Sequence, residues 1–189
     1  MTVVAGIDYS MSSPAITVYN TEDPLKFESL KMFNLTEYKT KVGVFGNVKI
    51  ELLPEWSTPE ERYHRNASWA IEILVEHGVE EVAIEGYSMG SNSGLVFNIA
   101  ENGGALKQMI WKAGIKLMEP PAPGSVKLYH SGKGNSKKDA MIDRFNDLFM
   151  VQLHEKIGLK TPYAKPIDDL VDSWAVLNTA FHITEARII

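Results

Sequence analysis

The chain of 189 residues contains no cysteine, which excludes disulfide bridges, thiolate metal ligands and cysteine nucleophiles. It also lacks a run of 18 consecutive apolar residues and a basic N-terminal stretch followed by an apolar run. These absences argue against a transmembrane span and a secretion signal, so we expect a soluble protein of the cytoplasm with no membrane partner. Repeats, low-complexity tracts and long linkers are absent as well, and we expect one domain over residues 1–189.

Positive charge is scarce, since the formal net charge is −5. The total argues weakly against nucleic-acid binding, because phosphate contacts need lysine and arginine. The distribution of charge points the other way. Six lysines and a single acid, Glu119, lie between Lys112 and Lys138. A locally basic segment in an acidic protein is either a solvated surface or a site for phosphate groups.

The apolar pattern predicts strands first and then strands alternating with helices. Residues 2–8 and 15–19 are short, apolar and β-branched, which is typical of buried strands. Residues 26–33 and 41–53 suggest further antiparallel strands, and 79–84 is another compact strand. A mixed sheet covered by helices is the natural architecture for this order.

Helix starts are marked by capping residues and prolines. Thr58-Pro59-Glu60-Glu61 predicts a helix that Gly78 ends. Another helix is expected from about Leu95 to Ala113. Residues 125–130 form either an extended segment or the beginning of a helix. A long helix capped by Asn135 or Ser136 is expected to run toward residue 157, and Pro166 opens the last helix.

Two carboxylates follow buried strands. Asp8 ends the first strand and Glu85 follows the strand at 79–84. An acid there can simply begin a turn. If the two strands are adjacent and parallel, however, both side chains emerge at the sheet edge where open α/β sheets bind ligands. Two such acids repel one another unless a cation neutralises them.

More acids begin the last helix: Asp168, Asp169 and Asp172. They complement the helix dipole, which is reason enough for acids there. Asp169 and Asp172 also share a helix face, and Asp168 pairs with Asp172 at a spacing of four, so either could act with Asp172. Carboxylates from separate segments, without cysteine or paired histidines, describe a site for Mg²⁺ or Mn²⁺. Two such ions about 3.5–4 Å apart can hydrolyse a phosphodiester.

Taken together, these residues resemble the RuvC family of Holliday-junction resolvases, and a phage-type member in particular. The resemblance covers roughly residues 2–19 and 79–180. It rests on Gly6-Ile7-Asp8, Ile84-Glu85-Gly86-Tyr87 with Ser91-Asn92-Ser93 and Ala100-Glu101-Asn102-Gly103-Gly104, Val126-Lys127 with Gly132 to Lys138, and Asp169-Leu170-Val171-Asp172-Ser173-Trp174-Ala175.

The resemblance implies a ribonuclease-H-like fold, with a mixed five-stranded sheet flanked by helices. It implies a homodimer that resolves four-way DNA junctions by paired phosphodiester hydrolysis in a bacterial or phage-infected cell. The metal ligands would be Asp8, Glu85, Asp169 and Asp172, with two Mg²⁺ ions for which Mn²⁺ can substitute. Lys127 and Lys138, eleven residues apart, would contact DNA near the scissile bond, where Lys138 would stabilise developing charge. General phosphate contacts would fall to Lys133 and Lys137.

The sequence departs from the family in two places. The family carries a junction-stacking aromatic three positions after its second acid, where this chain has Ser88. Tyr87 could replace it, because stacking tolerates displacement on a loop, or could simply pack on the sheet. Residues 20–57 are longer than the corresponding family strands and form a variable region.

The pair Gly103-Gly104 fits close packing either of a partner helix or of the chain's own elements.

Other functions share parts of this pattern. Another ribonuclease-H-like nuclease would cut RNA–DNA hybrids or release mononucleotides, and a silent relative would bind branched DNA without cutting it. An actin-like or sugar-kinase ATPase also begins with an apolar strand and an aspartate. That fold needs two domains, and 189 residues cannot supply them.

Overall fold

The computed structural model describes residues 2–87 and 93–185. Its seven strands form one mixed sheet in the order β4-β5-β3-β2-β1-β6-β7. The strands are β1 (Val3–Asp8), β2 (Ala15–Asn20), β3 (Lys31–Thr36), β4 (Gly43–Phe45), β5 (Val48–Leu52), β6 (Glu81–Ile84) and β7 (Lys116–Leu117). The helices are α1 (Pro59–Glu76), α2 (Ser93–Lys112), α3 (Pro123–Ser131), α4 (Lys138–Phe149), α5 (Leu153–Lys156) and α6 (Ile167–Phe181). None of the described helices is long and apolar enough to cross a bilayer.

Helices cover both faces of the sheet, as the order of elements predicts. Along β1 the side chains alternate between two cores. Val4 belongs to the core that α3, α4 and α6 build, whereas Ala5 and Ile7 belong to the core under α1 and α2. The sheet is therefore the middle of three layers, and the α/β fold class is confirmed.

The register of β1 with β6 brings the strand-end acids together. These strands are parallel neighbours, and Ile7 pairs with Ile84. Asp8 and Glu85 are the next residues of their strands, so they leave the sheet side by side. Because Asp8 lies two residues after Gly6, its side chain points to the face that α6 covers.

Helix α6 lies directly on β1 at Gly6. A Cβ atom at Gly6 would come within 2.4 Å of both the Leu177 amide nitrogen and the Ser173 carbonyl oxygen. Beside this contact, the Thr17 and Ser173 hydroxyl groups are 2.7 Å apart and tie α6 to β2. Only glycine allows this approach, and the approach fixes the start of α6 beside the end of β1.

The variable region adds strands that correct the expected count of five. Residues 43–52 form β4 and β5, which extend the sheet beyond β3. The expectation that all strands of this region are antiparallel is also wrong, because β5 runs parallel to β3. The short β4 pairs antiparallel with the outer side of β5. Neither polarity nor pairing partner can be predicted from alternating side chains alone, since both orientations bury the same face.

The helix predicted to run from residue 136 toward 157 is two helices. The chain breaks at Met150, which adopts the left-handed conformation at the end of α4. The Asn146 side chain then accepts a hydrogen bond from the Leu153 amide and starts α5. Neither predicted cap is used, because Lys137 occupies the cap position and the Ser136 hydroxyl donates to the Lys133 carbonyl instead. Residues 125–130 lie within α3, so the alternative of an extended segment is wrong.

The start of α1 follows its sequence signals. The Thr58 hydroxyl accepts a hydrogen bond from the Glu61 amide at 3.2 Å. The Glu61 carboxylate reaches back to the Ser57 amide, one residue before the cap. Gly78 has a positive φ of 63° and ends the helix as predicted.

Candidate active site

Carboxylates from three elements converge at the edge where β1 and β6 end. Asp8 and Glu85 come from the sheet, and Asp169 and Asp172 come from the first turns of α6. Burial, followed by the charges of Asp172, Asp169 and Glu85, raises the pKa of Asp8 well above its usual value. Acids can raise one another's pKa in this way only when they are close together.

Asp172 and Glu85 share this environment. Burial raises the pKa of Asp172 to about 7, with Lys138 opposing the rise and Glu85 adding to it. Burial likewise raises the pKa of Glu85, while the charges of Lys127 and Lys138 lower it. Both predicted functional lysines therefore lie within electrostatic reach of the second strand-end acid.

Asp169 is held through both of its oxygen atoms. Its Oδ2 accepts a hydrogen bond of 2.6 Å from the Ser13 hydroxyl, and its Oδ1 accepts one of 3.1 Å from the Lys165 ammonium. The Asn34 amide donates to the Ser13 hydroxyl at 3.2 Å and thereby orients it. These buried hydrogen bonds link β3, the turn before β2 and α6. Burial and Asp168 raise the pKa of Asp169, whereas Ser13 and Lys165 lower it.

Asp168 has a different partner. It lies on α6 and forms an ion pair through Oδ2 with the Lys138 ammonium. Its Oδ1 is buried and has no hydrogen-bond partner among the described residues. Asp169 and Asp172 both act on Asp8, and thus face the end of β1. Their assignment as the ligand pair of α6 stays a prediction.

The basic segment borders this acidic centre. Lys138 begins α4, and Lys127 lies half-buried on α3. Lys133 and Lys137 are exposed on the loop between these helices. The site thus has acids at its centre and lysines along one side, which fits a phosphate backbone held beside metal ligands.

The donor chemistry of the site suits a hard cation. Half-buried and buried carboxylates raise one another's pKa, and a divalent cation would relieve that repulsion. Within residues 2–87 and 93–185, however, no three or more acids or histidines are close enough to coordinate one ion. Lysine ammonium groups instead pair with Asp168 and Asp169. Metal binding would therefore need side-chain rotation.

A cleft of about 500 Å³ opens next to Asp8 and Glu85. Tyr87, half exposed, lies in it against α2. A Cβ atom at Gly103 would come within 2.5 Å of the Tyr87 hydroxyl, and the Lys107 ammonium lies 4.9 Å from the ring centroid. Gly103 thus packs against its own chain, whereas nothing lies within 4 Å of the corresponding position at Gly104. Ser88, Ser91 and Asn92 lie outside the described residues.

Ser13, Asn34 and Lys165 are site residues that the sequence reasoning missed. Lys165 lies four residues before Asp169, a spacing from which its ion pair could have been predicted. Ser13 and Asp169 are 156 residues apart, and no local pattern joins them. Asn34 follows the strand region predicted at 26–33 and belongs to no motif in the sequence.

Comparisons with known proteins identify the fold. No family model matches the chain, and no curated protein matches it in sequence. Thermus thermophilus RuvC is 21% identical with a TM-score of 0.63, over 99% of this chain and 96% of that one. The same protein in complex with a Holliday junction substrate gives 22% and 0.66, over 100% and 96%. The yeast mitochondrial Holliday junction resolvase Ydc2 is 12% identical with a TM-score of 0.60, over 96% and 78%. The chain therefore has the ribonuclease-H-like fold of RuvC.

Proposed function

We propose that this protein is a metal-dependent endonuclease that resolves four-way DNA junctions and other branched DNA by paired phosphodiester hydrolysis. The observation that carries the proposal is the meeting of Asp8, Glu85, Asp169 and Asp172 at one sheet edge, with lysines beside them. The proposal is supported by structures of the same fold. One is a Holliday junction resolvase, and another is RuvC in complex with a Holliday junction substrate. We also propose that the chain belongs to the resolvase family. Only the sequence motifs support a phage-type member.

The four carboxylates would hold Mg²⁺ or Mn²⁺, most simply as two ions. When bound, the ions would activate a water molecule and stabilise the leaving oxygen. Asp169 enters this arrangement already oriented by Ser13. Lys138 would face the scissile phosphate and offset the negative charge that develops there.

Binding would spread over the basic segment and the cleft. Lys127, Lys133 and Lys137 would neutralise phosphates on the arms of the junction. Tyr87 presents a half-exposed ring beside the acids, and we propose that an unstacked junction base lies against it. Lys107, which already lies over that ring, would add positive charge nearby.

Paired nicks require two active sites, and we propose a homodimer formed through α2. Phe97 and Trp111 are 73% and 78% exposed on this helix, and each is seven residues from the exposed Gly104. A two-fold axis at Gly104 would place Phe97 opposite Trp111 of the partner subunit. The exposed α2 face is thus complementary to a second copy of itself.

A second candidate function is binding of branched DNA without cleavage. The observation that favours it is the pairing of Lys138 and Lys165 with Asp168 and Asp169, which neutralises acids without a metal ion. Cleavage of RNA–DNA hybrids or release of mononucleotides would instead indicate a different nuclease of the same fold.

The deciding experiment is a nicking assay on a synthetic four-way junction with Mg²⁺. We expect Asp8→Asn and Asp172→Asn to bind the junction like wild type but to cut it at least about 100-fold more slowly. Asp147→Asn, an exposed acid on α4, is the matched control and should cut normally. Full activity in either site variant would overturn the metal-site assignment. Tight binding by wild type without nicking would support the second candidate function, binding of branched DNA without cleavage.

A further inference from the structure

Asp168 is a buried carboxylate with an exposed cationic partner. The residue is 5% exposed, whereas the side chain of Lys138 is 60% exposed. The ion pair joins the first turn of α6 to the first residue of α4. An acid that only complements a helix dipole can stay in solvent. Burying this one costs free energy, so its placement calls for a compensating interaction.

The ammonium group of Lys138 acts on the whole site from this anchored position. Its charge lowers the pKa of Asp8, Glu85 and Asp172 at once. Burial lowers the pKa of Lys138 itself, but Asp168, followed by Asp172 and Asp169, outweighs that effect and raises it. The group therefore lies among acids from three separate elements, rather than beside one of them.

An exposed lysine without an anchor would not stay there. Its four-carbon side chain has many rotamers, and confining them costs conformational entropy. Asp169 is not free to supply the anchor, because Ser13 and Lys165 already hold it. Asp168 has no other hydrogen-bond partner among the described residues and is aimed at Lys138.

We propose that Asp168 is a positioning residue, which holds the Lys138 ammonium beside the scissile phosphate and is not itself a metal ligand. This inference rests on the proposed nuclease function and deepens it. It gives the two adjacent acids at the start of α6 different roles. Asp168 orients a lysine, whereas Asp169 binds the cation. The two neighbouring side chains contact different partners because they are about 100° apart around the helix axis.

The test compares Asp168→Asn, Lys138→Met and the double variant in single-turnover nicking at saturating Mg²⁺. We expect Asp168→Asn to slow nicking by about tenfold or more while the junction Kd changes less than about twofold. The double variant should be no slower than Lys138→Met alone, since Asp168 acts through Lys138. Effects that multiply in the double variant would refute the inference.

The Mg²⁺ dependence separates a positioning residue from a ligand. In Asp168→Asn the Mg²⁺ concentration for half-maximal nicking should match wild type, and in Asp169→Asn it should rise at least about tenfold. A comparable rise in Asp168→Asn would make Asp168 a ligand and end the proposal. Asp147→Asn again serves as the control, and Asp168→Ala replaces the asparagine variant if that variant does not fold.

A measurement without DNA keeps the two proposals separate. In protein labelled with ¹³C-lysine, the Lys138 signal can be identified by its loss in Lys138→Met. Asp168→Asn should lower the pKa of Lys138, because the buried partner charge is gone. An unchanged pKa would contradict the anchoring. If the pKa falls but wild type cuts no junction, the anchoring stands and the nuclease function fails.

Discussion

At the scale of single residues, burial and then mutual repulsion keep the carboxylates of the candidate site from ionising. The pKa of an unperturbed aspartate is near 3.8, but burial raises the pKa of Asp172 to about 7 in the folded chain. Asp8 shows the same direction of shift. Between the two pKa values the folded state binds a proton that the unfolded state does not. The metal-free protein should therefore lose stability as pH rises from about 4 to 7, because the acid ionises freely in the unfolded chain and keeps its proton in the folded chain.

The raised pKa of Asp172 predicts a stabilising substitution. In EDTA, Asp172→Asn should raise the melting temperature at pH 7.5 by a few degrees, as about 1 kcal/mol would in a chain of this size. The gain should vanish near pH 4, where the wild-type acid is protonated. Thermal melts from pH 4 to 8 measure it, with Asp147→Asn as the control. A variant that melts below wild type at pH 7.5 would show that the ionised Asp172 does not destabilise the folded chain.

Residue chemistry also explains what the sequence could and could not predict of the site. Asp8 and Glu85 could be placed together because each ends a strand, and parallel neighbouring strands end at the same edge. The separate roles of Asp168 and Asp169 could not, since both are acids of one helical turn. Their roles depend on Lys138 and Ser13, which reach them from α4 and from the turn before β2.

At the scale of elements, the site depends on how closely α6 approaches β1. Gly6→Ala should cost about 3 kcal/mol or more, because a Cβ atom would collide with the backbone of α6 rather than with a flexible side chain. Gly124→Ala on α3, where nothing lies within 4 Å, should be neutral or stabilise by up to about 1 kcal/mol. Urea unfolding of both variants measures the difference. Equal stabilities would mean that the two elements are not in backbone contact.

Elements with strong local signals were predicted well, and elements defined by distant partners were not. Thr58 and Gly78 delimit α1 because capping is local. By contrast, β5 pairs directly and in parallel with β3, although β4 lies between them in sequence, and that choice depends on the sheet as a whole. The helix break at Met150 could not be predicted, because neither glycine nor proline stands there. The amphipathic pattern of α4 also continues past this residue.

At the scale of the molecule, the α2 face makes a prediction about assembly. If the proposed homodimer forms, Phe97→Ser and Trp111→Ser should each convert it to monomer at micromolar concentration, because each removes an aromatic side chain from both ends of the symmetric contact. Val44→Thr, at an exposed apolar residue of β4, is the control. Sedimentation velocity distinguishes the two states. Dimers that survive both serine variants would place the interface elsewhere.

The basic segment makes a second prediction at this scale. Lys133→Ala and Lys137→Ala should weaken junction binding, and each should reduce the slope of log Kd against log salt by about 1. Lys160→Ala, an exposed lysine beyond α5, should leave the slope unchanged. Fluorescence anisotropy over a salt series gives the slopes. Identical slopes in all variants would remove these lysines from the DNA interface.

The sheet ends in very short strands. Among the described residues, β4 contributes three residues to one edge and β7 two residues to the other. Edges this short expose few unpaired backbone groups, so a second chain finds little template on which to continue the sheet. The molecule is thereby protected against edge-to-edge aggregation, even though its core strands are apolar and β-branched. The proposed homodimer would then form through side chains of α2 and not through the edges of the sheet.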